Sequence, residues 1–145
     1  MSAVLASGLA TASESAQFFA AQLQFRTDAA DLAADLIAAE ARIVVIDTRS
    51  TAAYQAGHIP GAVSVPHRTM TAESTANWDR QQVYVCYCDG IGCNGSTWGA
   101  YKLAKLGFQV KELIGGLRYW QQDGYAVATG DAAGVLMANT IDCEC

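Results

Sequence analysis

Four consecutive β-branched residues, Ile43-Val44-Val45-Ile46, follow Arg42 and are closed by Asp47. A strand with one wet face alternates apolar and polar side chains, whereas an unbroken apolar run needs cover on both faces. The run therefore predicts a strand inside a parallel sheet. Val83-Tyr84-Val85-Cys86-Tyr87 repeats the signature and leads through a glycine-rich stretch into a helical pattern from Thr97 to Leu106, with Gly107 placed to end it. Gln109 to Ile114 reads as a further strand, Gly115-Gly116 as a turn, and Leu117 to Gln122 as a short helix stopped by Gly124. Strand, loop, helix, strand, helix is the order of an α/β architecture. Its central sheet is expected to be mostly parallel and flanked by helices on both faces.

Two helices are expected ahead of this unit. From Thr11 to Leu23 the residues Ala16, Phe19, Ala20 and Leu23 recur at helical steps, and Glu14 lies three residues after Thr11 as in a capping box. This helix either covers the core or serves a partner. After Thr27 or Asp28 as cap, Leu32, Ala33, Leu36 and Ile37 repeat at the same spacing, ending near Ala39. Past Val127 the pattern breaks at Thr129-Gly130-Asp131 and Gly134 before a terminal Cys143-Glu144-Cys145. The expected organisation is residues 1–26 as a helical extension packed on the domain, 27–127 as the domain, and 128–145 as an appendage.

A chain of 145 residues can bury a core of its own. The net charge is −5, and no Lys/Arg cluster supplies the positive patch that neutralises phosphates, so nucleic acid is not expected as a partner. The opening residues lack a positive n-region, and no run approaches the ~20 apolar residues of a membrane span, so neither export nor membrane attachment is expected. Five cysteines, Cys86, Cys88, Cys93, Cys143 and Cys145, are an odd set, without the Cys-x-x-Cys spacing of structural zinc. Reduced thiols in the cytoplasm, with no metal, are the expectation.

The chemistry gathers in Cys88-Asp89-Gly90-Ile91-Gly92-Cys93-Asn94-Gly95-Ser96, between a buried strand and the start of a helix. A helix N-terminus offers unpaired N–H groups and the positive end of its dipole, so a thiolate there is stabilised. The three glycines let the loop curl, so that the amides from Asp89 to Ser96 could cradle a thiolate or the terminal sulfur of a persulfide. Cys86 points to the same side of its strand as Cys88 but deeper, and reads as an inert buried thiol.

Several separated blocks together resemble the rhodanese homology domain, across roughly Thr27 to Val127. They are Asp47-Thr48-Arg49, Gly57-His58-Ile59-Pro60-Gly61-Ala62, Tyr87-Cys88 with its loop, Leu106-Gly107-Phe108, and Gly115-Gly116 with Trp120. The resemblance implies a single-domain sulfurtransferase without cofactor. Its Cys88 thiolate would take a sulfane sulfur from a small donor, thiosulfate or a persulfide, and pass it to a thiol, cyanide-type or protein acceptor. Asp47, Arg49 and His58 are candidate supporting residues. For each, the alternative is a purely structural role, and for His58 within its turn that is the first reading. His67 has no distinguishing context, and Trp98 and Tyr101 either line the mouth or pack.

The chain departs from the family in its loop. The spacing from Cys88 to Ser96 is longer than in many members, and Gly95 stands where an Arg is common, which predicts a poor fit for thiosulfate. Cys-based phosphatases need an Arg where Asn94 stands, so phosphatase chemistry is not expected. The extra cysteine, Cys93, is a rival nucleophile, a resolving thiol or a bystander. The competing function is a non-enzymatic redox or interaction module that uses the Cys88/Cys93 loop.

Overall fold

The structure is a computed structural model that describes residues 1–138. Cys143 and Cys145, with the expected Cys-Glu-Cys ending, lie outside the described residues. Helix α1 (Ala12–Phe25) precedes β1 (Arg26–Thr27), α2 (Ala29–Ile37), β2 (Ile43–Asp47), α3 (Thr51–Ala56) and β3 (Val63–Ser64). After a 3-10 turn, His67–Thr69, come β4 (Val83–Tyr87), α4 (Gly95–Lys105), β5 (Gln109–Leu113) and α5 (Gly116–Gln122). The five strands form one parallel sheet in the order β1-β5-β4-β2-β3.

The two strands with unbroken apolar runs are adjacent, in a register that sets Ile46 beside Cys86 and Asp47 beside Tyr87. Alternation divides their side chains between two cores. Val45, Val85 and Tyr87 join Leu32 and Ala33 of α2, Tyr54 of α3, and Leu117 and Trp120 of α5 on one face. Ile46, Tyr84 and Cys86 join Leu103 of α4, Met70 and Phe108 on the other. Each fully buried Leu or Ile contributes roughly 1.5–3 kcal/mol. Covering both faces is what an all-apolar strand requires, so the α/β architecture follows from the two runs.

The caps fall where the sequence places them. Thr11 Oγ1 accepts from the Glu14 amide, and Asp28, rather than Thr27, caps α2 by accepting from Asp31. No residue of α1 is buried, and Phe18, Phe19, Leu23 and Phe25 are exposed, although Lys111 Nζ donates to Leu23 O at 3.0 Å. Past Val127 the chain returns to the body: Ala128 bridges to His58 and Leu136 is buried in the larger core. Within the described part of the expected appendage, Leu136 thus joins the core while residues 129–135 stay exposed. No helix among the described residues is long and apolar enough to cross a membrane.

Candidate active site

Parallel strands deliver their carboxyl ends to one rim, and Asp47 and Tyr87 end neighbouring strands there. Asp47 is fully buried and accepts from Arg49 Nε at 3.0 Å, Arg49 Nη2 at 2.8 Å and the Tyr87 hydroxyl at 2.8 Å. Arg49 Nη2 also donates to Gly57 O at 2.6 Å, and Nη1 to the exposed Asp89 at 2.9 Å. One guanidinium thereby ties the end of β2 to the Gly57-His58 turn and to the residue after Cys88. Burial alone would lower the Arg49 pKa, but its bonds to Asp47 and Asp89 carry it above the usual range. Burial, and then the Asp47 charge, push the Tyr87 phenol above its usual range, so it stays a neutral donor.

Above this floor, Cys88 follows β4 directly and is 4 % exposed. Its carbonyl accepts from Leu117 N at 2.9 Å and that of Asp89 from Arg118 N at 2.8 Å, so the first turn of α5 clamps the base of the loop. This contact demands Gly116: at φ +61°, an added Cβ would meet Asp89 C and Gly90 N at 2.9 Å.

Cys88 is joined to Cys93 by a disulfide, with Cα atoms 6.2 Å apart. The expected curl of amides from Asp89 to Ser96 around Cys88 takes another form in this state. Cys93 N donates to Gly90 O at 3.1 Å, closing a small turn, and Gly95 N donates to Cys93 Sγ at 3.5 Å. The amide at the start of α4 serves the second sulfur, because the disulfide draws Cys93 over that helix end.

The same geometry accounts for Gly95. A Cβ there would lie 3.1 Å from Cys88 Sγ, 3.4 Å from Thr48 Oγ1 and 3.5 Å from Cys93 Sγ. Cys88 Sγ, with Thr48 and Cys93 beside it, borders the space that a longer side chain would need. Gly99 one turn on is more tightly constrained, since a Cβ would approach Thr48 Cγ2 at 2.7 Å.

Two clefts meet at the disulfide. One is walled by Thr48, Arg49, Ser50, His67, Arg68 and Asn94. The other is walled by Arg26, Ile91, Ser96, Thr97 and Glu112. The exposed Arg68 therefore supplies cationic character that the loop itself lacks. Glu112 accepts from Ser96 Oγ at 3.0 Å and Thr97 Oγ1 at 2.6 Å, fixing the first turn of α4 to β5. Sequence reasoning set His67 aside and missed Arg68 and Glu112; all three come from distant segments and carry no motif. The His67 pKa is lowered by burial and then by Lys102 and Arg68.

The structure does not bring His58 to the cysteines. Its ring stacks on Tyr54 at 3.7 Å, Nδ1 faces Tyr54 O at 2.8 Å, and Nε2 faces the carbonyls of Ala132 and Ala133. Asp47 acts beneath the site through Arg49 and Tyr87, whereas Arg49 also lines the first cleft. Trp98 and Tyr101 are exposed on α4, ring centroids 6.0 Å apart, and flank Asn94 and Thr97 in a shallow groove outside the clefts. Cys86 is fully buried and its thiol is pushed up to about 12 by burial and then by the Glu112 charge, so it is inert in the folded chain.

Comparison with known proteins agrees with this architecture. The BH2092 protein from Bacillus halodurans superposes with a TM-score of 0.80 at 35% identity, over 90% of this chain and 96% of that one. A thiosulfate sulfurtransferase from Pseudomonas aeruginosa gives a TM-score of 0.63 at 25% identity, over 74% of this chain and 20% of that one. The HTH-type transcriptional regulator Rv0324 of Mycobacterium tuberculosis is 34% identical over 93 residues, 63% of this chain. The match spans only 40% of that regulator's length. The Rhodanese-like domain profile matches residues 28–123. With a parallel sheet, a cysteine directly after its central strand and a helix opening above it, this chain belongs to the rhodanese-like domain family.

Proposed function

We propose that this chain is a sulfurtransferase that accepts a sulfane sulfur as a Cys88 persulfide. The observation that carries the reading is the placement of Cys88: clamped at the end of β4, at the junction of two clefts, beside the N-terminus of α4. The likeness to a thiosulfate sulfurtransferase supports it. Opening the disulfide with a dithiol frees the Cys88 thiolate, whose attack on the outer sulfur of thiosulfate would expel sulfite. The exposed Arg68 lines the cleft from which a dianionic donor would approach and offsets the missing loop Arg. A thiol or a partner protein would then take the sulfur, in the reducing cytoplasm where such thiols are abundant.

The test is intact-protein mass spectrometry after incubating the reduced Cys93→Ser chain, which keeps whatever sulfur it takes up, with thiosulfate or with glutathione persulfide. A gain of one sulfur that disappears when Cys88→Ser is added is expected, and loading retained without Cys88 would overturn the assignment. The disulfide favours one second reading, a thiol switch within a larger regulatory protein, the setting suggested by the transcriptional regulator with a similar segment. Oxidation that changes binding to a partner, in a chain that takes no sulfur from either donor, would select it.

A further inference from the structure

We propose that Cys93 is an internal resolving thiol that ejects the carried sulfur as hydrogen sulfide, making the domain a persulfide reductase as well as a sulfur acceptor. This rests on the reading of Cys88 as the carrier. The Cys93 thiolate attacks Sγ of the Cys88 persulfide, the Cys93–Cys88 disulfide bond forms, and the bond from Cys88 Sγ to the outer sulfur breaks. The outer sulfur leaves with that electron pair, and with the proton lost by Cys93 and its own it departs as H2S. The two protein sulfurs are oxidised and the sulfane sulfur is reduced, so no outside oxidant is needed. A dithiol reductant then restores both thiols by exchange.

Three features of the site support the step. The two Sγ atoms reach bonding contact without disturbing the sheet, since the chain from Gly90 to Cys93 makes the whole connection as one turn. Reaction within the loop replaces an encounter with an outside thiol, an advantage that well-oriented intramolecular groups hold generally. Second, the Gly95 amide at the start of the eleven-residue α4 donates to Cys93 Sγ at 3.5 Å, so the helix end favours the attacking group as thiolate. Third, the two cysteines are held differently. Cys88 is anchored through Leu117 and Arg118, while Cys93 is carried on a turn in which Ile91 is 74 % exposed and a Cβ on Gly92 would meet nothing within 4 Å. A fixed carrier with a movable resolving arm allows the persulfide to form first and be displaced afterwards.

The experiment uses the full chain in a Cys143→Ser/Cys145→Ser background, reduced and freed of reductant, with Cys93→Ser and Cys93→Ala beside it. Thiosulfate and glutathione persulfide are the donors, and two products are followed: sulfite or glutathione, which reports loading, and H2S, which reports resolution. The resolving chain should yield about one H2S per loading event, lose two titratable thiols and stop until dithiothreitol is added. With thiosulfate, both Cys93 variants should release sulfite, keep the sulfur as a stable persulfide and give H2S only when a thiol is supplied. A chain with Cys93 that keeps its persulfide, or Cys93 variants that release H2S as fast, would overturn the proposal. Absence of the first product with both donors would instead strike the carrier reading, and this step with it.

Discussion

The floor of the site and the loop above it are built on opposite terms. Beneath, Asp47 and Tyr87 are fully buried and Arg49 nearly so, and three elements converge on one guanidinium. Above, the segment from Gly90 to Gly92 is tied by a single turn and borders the open cleft that Arg26 and Glu112 also line. A buried charge cluster tolerates no missing member, because each partner left behind stays desolvated and unpaired. A solvent-facing turn can change conformation at little cost. The difference teaches where the fold is fixed and where chemistry is free to move: Cys88 belongs to the first region through its backbone and to the second through its sulfur.

Substitutions can break this contrast, beginning with the floor. Asp47→Ala leaves Arg49 and the Tyr87 hydroxyl without their shared acceptor, and should cost about 3–5 kcal/mol in urea unfolding. Arg49→Lys keeps the charge but cannot span Asp47, Gly57 and Asp89 together, and a loss of roughly 1–3 kcal/mol is expected by the same measurement. In the loop the figure should be smaller. The disulfide spans a sequence separation of 5. Closing so short a loop stabilises by no more than about 2 kcal/mol on chain-entropy grounds, so reduction should shift the unfolding midpoint modestly and leave the circular dichroism of the fold unchanged. A loss as large as that of Asp47→Ala would erase the distinction.

The mildest test concerns the third described cysteine. In the reduced native chain, iodoacetamide at about pH 8.5 should label Cys88 and Cys93, while fragmentation of the peptide that carries all three cysteines should find Cys86 unmodified until denaturant is added. Its folded pKa is raised to about 12 from an ordinary value of 9.0. Because burial favours the protonated form, the stability linked to Cys86 is fully present below pH 9 and is lost as pH rises toward 12. Cys86→Ala should flatten that alkaline decline.

The central strands were legible because an apolar run covered on both faces admits few alternatives. Strands β1 and β3 were not, since two residues each at the sheet edges carry no period. Helix α3 escaped notice for a similar reason: six residues offer less than two turns of pattern, although Ser50 caps it through the Ala53 amide. In the site, the Cys88–Cys93 pair stood among the alternatives because both residues lie in one loop. Arg68, His67 and Glu112 arrive from elsewhere in the chain, and only the sheet order brings them to the cysteines. Gly95 was visible as a departure, but its reason is spatial, since the space beside it is already held by two sulfurs.

That last contact has a consequence for reading other chains of this architecture. Even a Cβ at position 95 would lie 3.1 Å from Cys88 Sγ, so the sulfur pair and a substantial side chain compete for the space beside Gly95. A second cysteine five positions after the first should therefore travel with a residue of minimal bulk seven positions after it. Chains with a larger residue there should keep their sulfurs apart. Under the proposed chemistry, that one small space would separate domains that store sulfur from domains that discharge it.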